Sequence, residues 1–547
     1  MAGTVESVEW ADVQALVRNG FGQYPHSAHL LLRIEDAAAA RAWLRDNLER
    51  VANFEQAKTW LADRTEGKDL PPNPISVSFT ADGLTAIGLA ESALHSFPDQ
   101  FTEGMAPEPG DGQQTTRRAG ILGDLGPNNA AHWLWGGTRT DSARCAPQDQ
   151  IHILLAIYGA DCAVVGREIQ RHLDAQHGIA LAIPLDDHGE SPAMLRTFLK
   201  IDKGLPVEHF GYCDGISQPL IEGTPHADNA PRETRDFHQV KAGEFVLGYT
   251  NERKLKPPTP TASTETDSLN VLPRAQGPGR ADLGRNGSFL VARQLEQNVA
   301  AFNRLVSQIE EAGAKARVLD PKPDDPRADR HCMREQAAAL IMGRSRNGVP
   351  LAPEIADGKF RARKFRGEPE DETEEERQAR LRANDLANAF GFADLDSVGL
   401  HCPMGAHIRR ANPRDALAPN PFKALELSKR HRILRRGRIY GPWQSNAGFD
   451  VEATGGRGLL FICLNTDLVR QFEFVQHSWI NNPHFPGRSG ERDPVLGAWD
   501  EGASVTLPTR PRSSQIPLAE PLITVRGGAY FFLPGKRALT YLAHLQD

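Results

Sequence analysis

The feature that most constrains the fold is a repeated pairing of a short apolar run with a following amphipathic segment. Runs with strand character alternate with stretches of helical spacing in both halves of the chain. The N-terminal pairs are His29–Ile34 with Ala37–Val51, Ile75–Phe79 with Leu84–Leu94, and Ile151–Tyr158 with Ala163–Leu173. The C-terminal pairs are Phe289–Arg293 with Glu296–Ile309, Leu459–Leu464 with Asp467–Ile480, and Ala529–Leu533 with Arg537–Leu545. Three units in each half predict two α+β domains, each a sheet with helices on one face.

The length of the chain also indicates two domains, because 547 residues exceed what one ordinary core organises. We place the domains at 1–225 and 226–547. A segment at 254–283 is rich in Pro, Thr, Ser and Gly and is predicted to be an extended surface insertion. A second insertion at 359–382 has alternating charge, with the acidic run Glu368–Glu376 inside it, and is predicted to be a solvated loop leading into an exposed helix.

Charge and composition exclude several classes of protein. A net charge of −7 argues against a general nucleic-acid binder, which usually has a basic excess. The N-terminus lacks the basic and apolar regions of a signal peptide, and no run of 18 apolar residues predicts a membrane span, so we expect a cytoplasmic protein. The six cysteines are scattered and are expected to be reduced thiols.

Three segments contain residues suited to catalysis. In Phe210–Pro219, Asp214 lies between Gly211 and Gly215, at what is predicted to be a tight turn. Cys402–Arg410 contains His407, and His431–Gly441 contains Arg435. Taken singly, an Asp-Gly pair is most often a plain turn, a histidine is most often a core residue, and an arginine usually lies at the surface. Together, an imidazole, a carboxylate and a guanidinium are the groups that an iron porphyrin needs to split a peroxide.

These segments resemble the motifs of the dye-decolorizing peroxidase family of haem enzymes. The G-x-x-D-G motif corresponds to Gly211–Gly215, C-P-x-x-A-H-x-R-x-x-N-P-R to Cys402–Arg414, and R-x-[NG]-x-x-[YF]-G to Arg435–Gly441. Further similar stretches are Gly243–Tyr249, Arg285–Leu290, and Gly458–Phe461 continuing to Trp479–Asn482. The matches occur in a consistent order from about Leu30 to the C-terminus. The resemblance implies two ferredoxin-like domains with antiparallel sheets and peripheral helices, and haem mainly in the C-terminal one.

The resemblance also implies roles for individual residues. His407 takes the place of the axial iron ligand, and Asp214 that of the acid/base which moves the proton of the peroxide. Arg435 supplies fixed positive charge where the O–O bond polarises. Leu459 and Phe461, two residues apart on a strand, form an apolar lining above the haem, for which the alternative is core packing. Gly437 stands where some relatives have asparagine, so an asparagine-assisted site is not expected.

The same resemblance predicts which residues surround the haem. The second ring nitrogen of His407 needs a hydrogen-bond acceptor, for which Asp493 is the first candidate and Glu473 the alternative. The small Gly405 and Ala406 are expected to leave room for the macrocycle. Arg409 and Arg414, with Arg410, are candidates to pair with the propionates. Trp479, Trp443 and Tyr440 are either electron relays to bulky substrates or core aromatic residues.

The expected function is that of a haem peroxidase with one non-covalent haem b per chain, since no C-x-x-C-H attachment motif is present. Its expected partners are hydrogen peroxide and dyes, phenols or similar one-electron donors, with no nucleic acid and no membrane. One alternative is a haem-binding or haem-delivery protein of the same fold with little turnover. Another is a non-haem α+β binding protein in which His407 belongs to the core. A Soret band and rapid mixing with peroxide distinguish the three.

Overall fold

The computed structural model covers most of the chain. It describes residues 7–57, 73–107, 115–138, 146–147, 150–202, 204–230, 232–315, 326–352, 354–356, 359–361, 390–394, 396–443, 456–485, 487, 490–508 and 513–546. The acidic run Glu368–Glu376 and most of the predicted insertion at 359–382 lie outside these residues. Within the described ranges, no helix has both the length and the apolar character needed to cross a membrane.

Eight strands pair in a closed ring. They are β1 (His26–Ile34), β2 (Ile75–Phe79), β3 (Ile153–Gly159), β4 (Met194–Phe198), β5 (Ser288–Gln297), β6 (Arg438–Tyr440), β7 (Gly458–Asn465) and β8 (Ile523–Leu533). Their order is β5–β7–β6–β4–β1–β3–β2–β8, and β8 pairs again with β5. Every neighbouring pair is antiparallel. Short strands at Trp135–Gly137, Ala146–Pro147, Ile179–Leu181 and Leu434–Arg435 extend this sheet.

The two halves of the chain contribute four neighbouring strands each, which confirms the α+β fold with antiparallel sheets. The halves join at two seams, where Ile439 in β6 lies opposite Phe198 in β4 and Phe79 in β2 lies opposite Phe532 in β8. Strands β4 and β6 were not among the predicted units, and they form one of these seams. The boundary near residue 225 falls between β4 and β5 and stays a prediction.

Helices cover the sheet, so that strands such as β1 and β3 are buried on both faces. The longer ones are α1 (Ala37–Asn47), α2 (Cys162–His172), α3 (Val299–Lys315), α4 (Pro326–Met342), α6 (Pro421–Lys429) and α7 (Lys536–Ala543). The helix α5 (His407–Ala411) has only five residues and begins at His407. Asp36 and Asp161 cap the N-termini of α1 and α2 by accepting hydrogen bonds from backbone N–H groups. Shorter helices lie at Ala81–Ala86, Glu91–Leu94, Asp99–Glu103, Arg117–Leu122, Pro225–Asp228 and Arg232–His238.

The insertion at 254–283 is more ordered than its composition predicted. Thr261–Ser263 pairs with Arg280–Asp282 in a small antiparallel ladder. Ala262, Leu272 and Leu283 are buried against the main core. The expectation of an extended surface segment is therefore corrected, because a few apolar side chains anchor the insertion to the domain. Four further two-stranded ladders join Lys200–Asp202 to Leu205–Val207, Leu220–Ile221 to Gln239–Val240, Glu354–Ala356 to Lys359–Arg361, and Ser504–Leu507 to Ser514–Pro517.

Candidate active site

One cavity brings together most of the residues that the motifs predicted. Asp214, His407, Arg414, Arg435, Leu459 and Phe461 all line it. Its walls come from residues 208–217, from β5, β7 and α5, and from the π-helical turns Val469–Glu473 and Val475–Ile480. Much of the remaining lining is apolar, with Phe210, Leu295, Met342, Phe390, Phe472, Val475 and Trp479 among it. The cavity thus combines a few convergent polar groups with an apolar wall, as ligand sites commonly do.

His407, the first residue of α5, is held by a buried carboxylate. Its Nδ1 lies 2.9 Å from Oδ2 of Asp493, whose side chain is fully buried. The other oxygen of Asp493 accepts 2.8 Å hydrogen bonds from the backbone N–H groups of Val495 and Leu496. Burial opposes ionisation of Asp493, but His407 and these hydrogen bonds outweigh it and lower the pKa of Asp493. With Nδ1 engaged, Nε2 of His407 is the nitrogen left to bind a metal.

The alternative acceptor, Glu473, lies elsewhere. Its carboxylate accepts a 2.9 Å hydrogen bond from the hydroxyl group of Tyr530 and lies 3.5 Å from Nε of Arg118. The small residues before His407 also differ from expectation. A Cβ on Gly405 would lie 2.2 Å from Oε1 of Glu491, and Ala406 packs in a small apolar cluster with Phe390 and Phe392. Gly405 therefore accommodates a carboxylate, and neither small residue lines the cavity.

Asp214 and Arg435 face the cavity from neighbouring segments. Asp214 sits in a turn whose Gly211 and Gly215 have φ of +88° and +76°, as the spacing predicted. Arg435 lies on the short strand paired with β7, and its Nη2 donates a 2.6 Å hydrogen bond to the carbonyl of Ile216. Burial lowers the pKa of Arg435, and the negative charge of Asp214 partly opposes this shift. A carboxylate and a guanidinium are thus close enough to interact in one cavity.

The arginines that follow His407 separate into structural and cavity-lining residues. Arg409 is buried away from this cavity, where it binds Asp396 at 3.0 Å and the carbonyl of Cys402. Its expected pairing with a propionate is therefore corrected, because an internal carboxylate and backbone oxygens hold its guanidinium. Arg410 is fully buried and donates hydrogen bonds to five backbone carbonyls between Trp479 and Glu491, so it fixes that segment. Of these three arginines, only Arg414 is among the described residues that line the cavity.

Arg414 belongs to a group of three cavity-lining arginines, with Arg344 and Arg432. The Arg414 guanidinium lies 3.7 Å from the centre of the Phe390 ring and donates to Oγ of Ser217, and Arg432 donates to the carbonyl of Ser217. Burial and the charges of Arg344 and Arg432 lower the pKa of Arg414 well below its ordinary value. Sequence reasoning missed Arg344, since nothing in its local sequence distinguishes it from a surface arginine.

The three aromatic relay candidates occupy different surroundings. Trp479 is buried, lines the cavity, and makes an edge contact at 5.3 Å with His431, whose ring stacks on Phe474. Burial lowers the pKa of His431 to about 4, so this cavity-lining imidazole is neutral at pH 7. Trp443 is partly exposed and stacks on His209 at 5.5 Å. Tyr440 is buried in β6. The latter two lie outside the cavity lining.

The cavity fits an iron porphyrin in three respects. Its apolar walls suit a flat macrocycle, and His407 has one ring nitrogen available for iron. The buried arginines repel one another, so that anionic groups such as propionates would relieve their charge. Asp214, in its glycine-flanked turn, and Arg435, on its short strand, lie in the same cavity, where both could face a ligand bound to the iron. Fold and cavity together indicate an α+β haem-binding protein.

Comparisons with known proteins agree with this class. No family model matches the chain. The multifunctional dye peroxidase DyP2 of Amycolatopsis sp. is 30% identical over 347 residues, which cover 61% of this chain and 61% of that relative. The dye-decolorizing peroxidase msp1 of Mycetinis scorodonius is 24% identical over 528 residues, covering 92% of this chain and 82% of that protein. The crystal structure of a DyP-type peroxidase from Anabaena sp. superposes with a TM-score of 0.67 at 20% identity, covering 98% and 94% of the two chains.

The chain is thus similar in sequence and in fold to proteins named dye-decolorizing peroxidases, and its cavity is suited to haem. The alignment with DyP2 spans 61% of that relative, whereas the structural superposition spans nearly the whole of both chains.

Proposed function

We propose that this protein is a peroxidase that uses hydrogen peroxide to oxidise dyes, phenols or similar one-electron donors, with one non-covalent haem b per chain. The observation that carries the proposal is the joint presence of His407, Asp214 and Arg435 in one cavity of this fold. When bound, haem supplies the redox-active iron at which peroxide is reduced. His407 would bind that iron through Nε2, and Asp493 holds the imidazole through Nδ1.

Asp214 and Arg435 have different roles in the reaction with peroxide. The Asp214 carboxylate accepts the proton of the oxygen that remains and returns it to the oxygen that departs. Arg435 provides a fixed positive charge where negative charge develops as the O–O bond breaks. The partial burial of Arg435 strengthens this interaction, because less water screens it than at the protein surface. Leu459 and Phe461, which line the cavity, would limit water beside the reacting oxygens. Arg414 and Arg432, also in the lining, would bind the propionates.

Rapid mixing with peroxide tests the roles of Asp214 and Arg435. We expect Arg435→Leu and Asp214→Asn each to slow the peroxide-dependent absorbance change by about 10²–10³-fold, since each removes one group that acts in the same step. The exposed Arg232→Leu and Asp187→Asn serve as matched controls and should react at the wild-type rate. The double variant measures whether the two residues act as one unit.

Each outcome has a definite meaning. Wild-type rates in both single variants would show that other residues act on the peroxide. A haem-loaded wild type that reacts slowly and turns over no dye would favour haem delivery instead. A protein with no Soret band after haem supplementation would be a binding protein of another kind.

A further inference from the structure

The stretch Gly243–Tyr249 contains a fully buried carboxylate, although none of its residues lines the cavity. Glu244, at the end of the short helical turn Ala242–Glu244, has no exposed surface. Its Oε2 lies 2.7 Å from Nη1 of Arg470, whose side chain is 9% exposed. Its Oε1 accepts a 2.9 Å hydrogen bond from the backbone N–H of Glu252. Because loss of either partner would leave a buried charge uncompensated, the ion pair fixes both side chains in place.

Arg470 connects this carboxylate to the segment 430–432, which contributes to the cavity wall. The Nη1 that faces Glu244 also donates to the carbonyl of Arg430. The backbone carbonyl of Arg470 accepts a hydrogen bond from Nδ1 of the cavity-lining His431. Nε of Arg470 donates to Oδ2 of Asp467 at 3.1 Å, which orients the guanidinium further. One arginine thus holds two consecutive residues of the segment.

Gln471 makes a second connection from the same turn. Its Nε2 donates to the carbonyl of Glu244 at 3.0 Å and to the carbonyl of Arg432 at 2.7 Å. Its Oε1 accepts from the backbone N–H groups of Thr466 and Asp467 at 3.1 and 3.0 Å. The side chain of Gln471 is fully buried, so a change in its orientation would leave polar groups unpaired away from water. The third residue of the segment is therefore held as firmly as the first two.

Arg432 is the member of this segment that can bind an anion in the cavity. It lines the cavity and is 8% exposed. Its Nη2 donates a 3.0 Å hydrogen bond to the carbonyl of Ser217. Among the residues that the structure describes, no carboxylate forms an ion pair with Arg432. A guanidinium in this situation binds an anionic ligand group well, provided that its backbone is held in position.

We propose that Glu244 is a positioning residue for the cofactor, which acts through Arg470 and Gln471 to place the Arg432 guanidinium against a haem propionate. The inference rests on the proposed function in its binding of haem and does not depend on turnover. Glu244 lies outside the cavity lining and therefore acts through the residues that it holds. Without its carboxylate, the Arg470 guanidinium loses its buried partner, and the segment 430–432 loses the anchor of that arginine.

Haem with esterified propionates distinguishes positioning from general loosening of the fold. The full-length chain is loaded with haem or with haem dimethyl ester, and release to an excess of a haem scavenger is followed at the Soret band. We expect Glu244→Gln to release haem about 10-fold faster than the wild type, as loss of a supporting residue commonly does. Release of the ester should be equally fast in the two proteins, because the ester offers Arg432 no charge.

The matched control is Glu168→Gln, which removes a glutamate paired with Arg50 at 2.6 Å. Neither Glu168 nor Arg50 lines the cavity, so this variant should release both cofactors at the wild-type rate. Equal acceleration of haem and ester release in Glu244→Gln would show general loosening and overturn the proposal. Unchanged haem release would overturn it as well.

A double variant tests whether the effect passes through Arg432. Arg432→Gln should itself release haem faster, because it removes the group that binds the propionate. Addition of Glu244→Gln should then accelerate release no further, since the guanidinium that Glu244 positions is already absent. Independent, additive effects of the two substitutions would contradict the assigned role.

Arg470→Lys keeps the test valid if Glu244→Gln does not fold. Lysine retains a positive charge beside Glu244 but lacks the planar fork that also reaches the carbonyl of Arg430 and Asp467. We expect the same selective acceleration of haem release, and wild-type release of both cofactors would contradict the connection. A wild type that holds haem through this contact but does not react with peroxide would reject the peroxidase function and leave the positioning role in place. A wild type that binds no haem would overturn both.

Discussion

At the scale of single residues, the site depends on how neighbours hold each polar group. His407 is the clearest case, since the two oxygens of Asp493 are divided between its Nδ1 and two backbone N–H groups. The carboxylate therefore cannot turn away without losing hydrogen bonds in a buried place. An imidazole fixed in this way presents Nε2 in one direction, which is what an iron ligand needs.

Removal of this imidazole should release the cofactor. We expect His407→Ala to lose most of its haem, because the iron loses its protein ligand and Asp493 is left as a buried carboxylate without its partner. The ratio of Soret to protein absorbance after haem supplementation measures the loss. His401→Ala, at a nearby exposed histidine, is the control and should keep full occupancy. Full occupancy with an unchanged spectrum in His407→Ala would place the ligand elsewhere.

At the scale of elements, the connection between Arg435 and β6 depends on close backbone packing. Gly437 lies between the short strand Leu434–Arg435 and β6, both of which pair with β7. A Cβ at Gly437 would lie 2.6 Å from the carbonyl oxygen of Leu460 and 3.2 Å from Cα of Phe461. The absent side chain thus allows the strand of Arg435 to approach the strand that carries the apolar lining.

A side chain at this position should strain the strand pairing. We expect Gly437→Ala to lower the free energy of unfolding by about 1–3 kcal/mol, the usual cost of overpacking. It should also slow the reaction with peroxide, since Arg435 is two residues away. Urea unfolding and rapid mixing measure the two effects. Gly22→Ala, where a Cβ meets nothing within 4 Å, should leave both unchanged. A Gly437→Ala protein as stable as the wild type would show that the strands adjust freely.

At the scale of the whole molecule, the ring joins residues that are far apart in sequence. Arg436 donates hydrogen bonds to the carbonyls of Leu16, Val17 and Arg18, and Arg438 donates to those of Gly20, Phe21 and Tyr24. These two arginines attach the N-terminal segment to the strand region that presents Arg435. The strand of Arg435 is therefore supported by both halves of the chain.

A buried histidine in the same ring of strands affects the stability of the protein in acid. His29 in β1 is fully buried, with Nδ1 at 3.1 Å from Oγ1 of Thr197, and burial together with the charge of Arg438 lowers its pKa to about 3. Between pH 6.5 and about 3 the unfolded chain binds a proton there that the folded chain does not. The free energy of unfolding should therefore fall as the pH falls, by about 1.4 kcal/mol per pH unit from this residue.

Substitution of His29 should reduce the amount by which the free energy of unfolding falls per pH unit. We expect His29→Gln to lose less stability than the wild type between pH 6 and pH 4, as measured by urea unfolding at each pH. The exposed His132→Gln is the control and should keep the wild-type slope. Equal slopes in His29→Gln and the wild type would show that other groups account for the acid sensitivity.

The sequence predicted most of the regular elements and several of the residues that line the cavity. The apolar runs that became β1, β2, β3, β5, β7 and β8 were recognisable because each is long enough to show its pattern. Strand β6 was not recognisable because three residues carry no clear period, and β4, although as long as β2, was not because Met-Leu-Arg-Thr-Phe does not alternate between apolar and polar residues. Among site residues, the motifs predicted that Asp214, His407 and Arg435 belong together. They did not reveal Glu208 or Arg344 as members of the cavity.

The sequence by itself determined which polar side chains could form a site and which runs could form strands. The turn around Asp214, which needs glycines, and the period of an apolar run are both local properties of the chain. Only the tertiary structure decided what each group contacts. Arg409 and Arg414 lie five residues apart in one motif, yet one is neutralised by Asp396 and the other lines the cavity. Arg409 binds Asp396 in its own part of the chain, whereas Arg414 donates to Ser217, which is 197 residues away in the sequence. Charge and hydrogen-bond partners across such distances depend on packing, which a linear pattern does not encode.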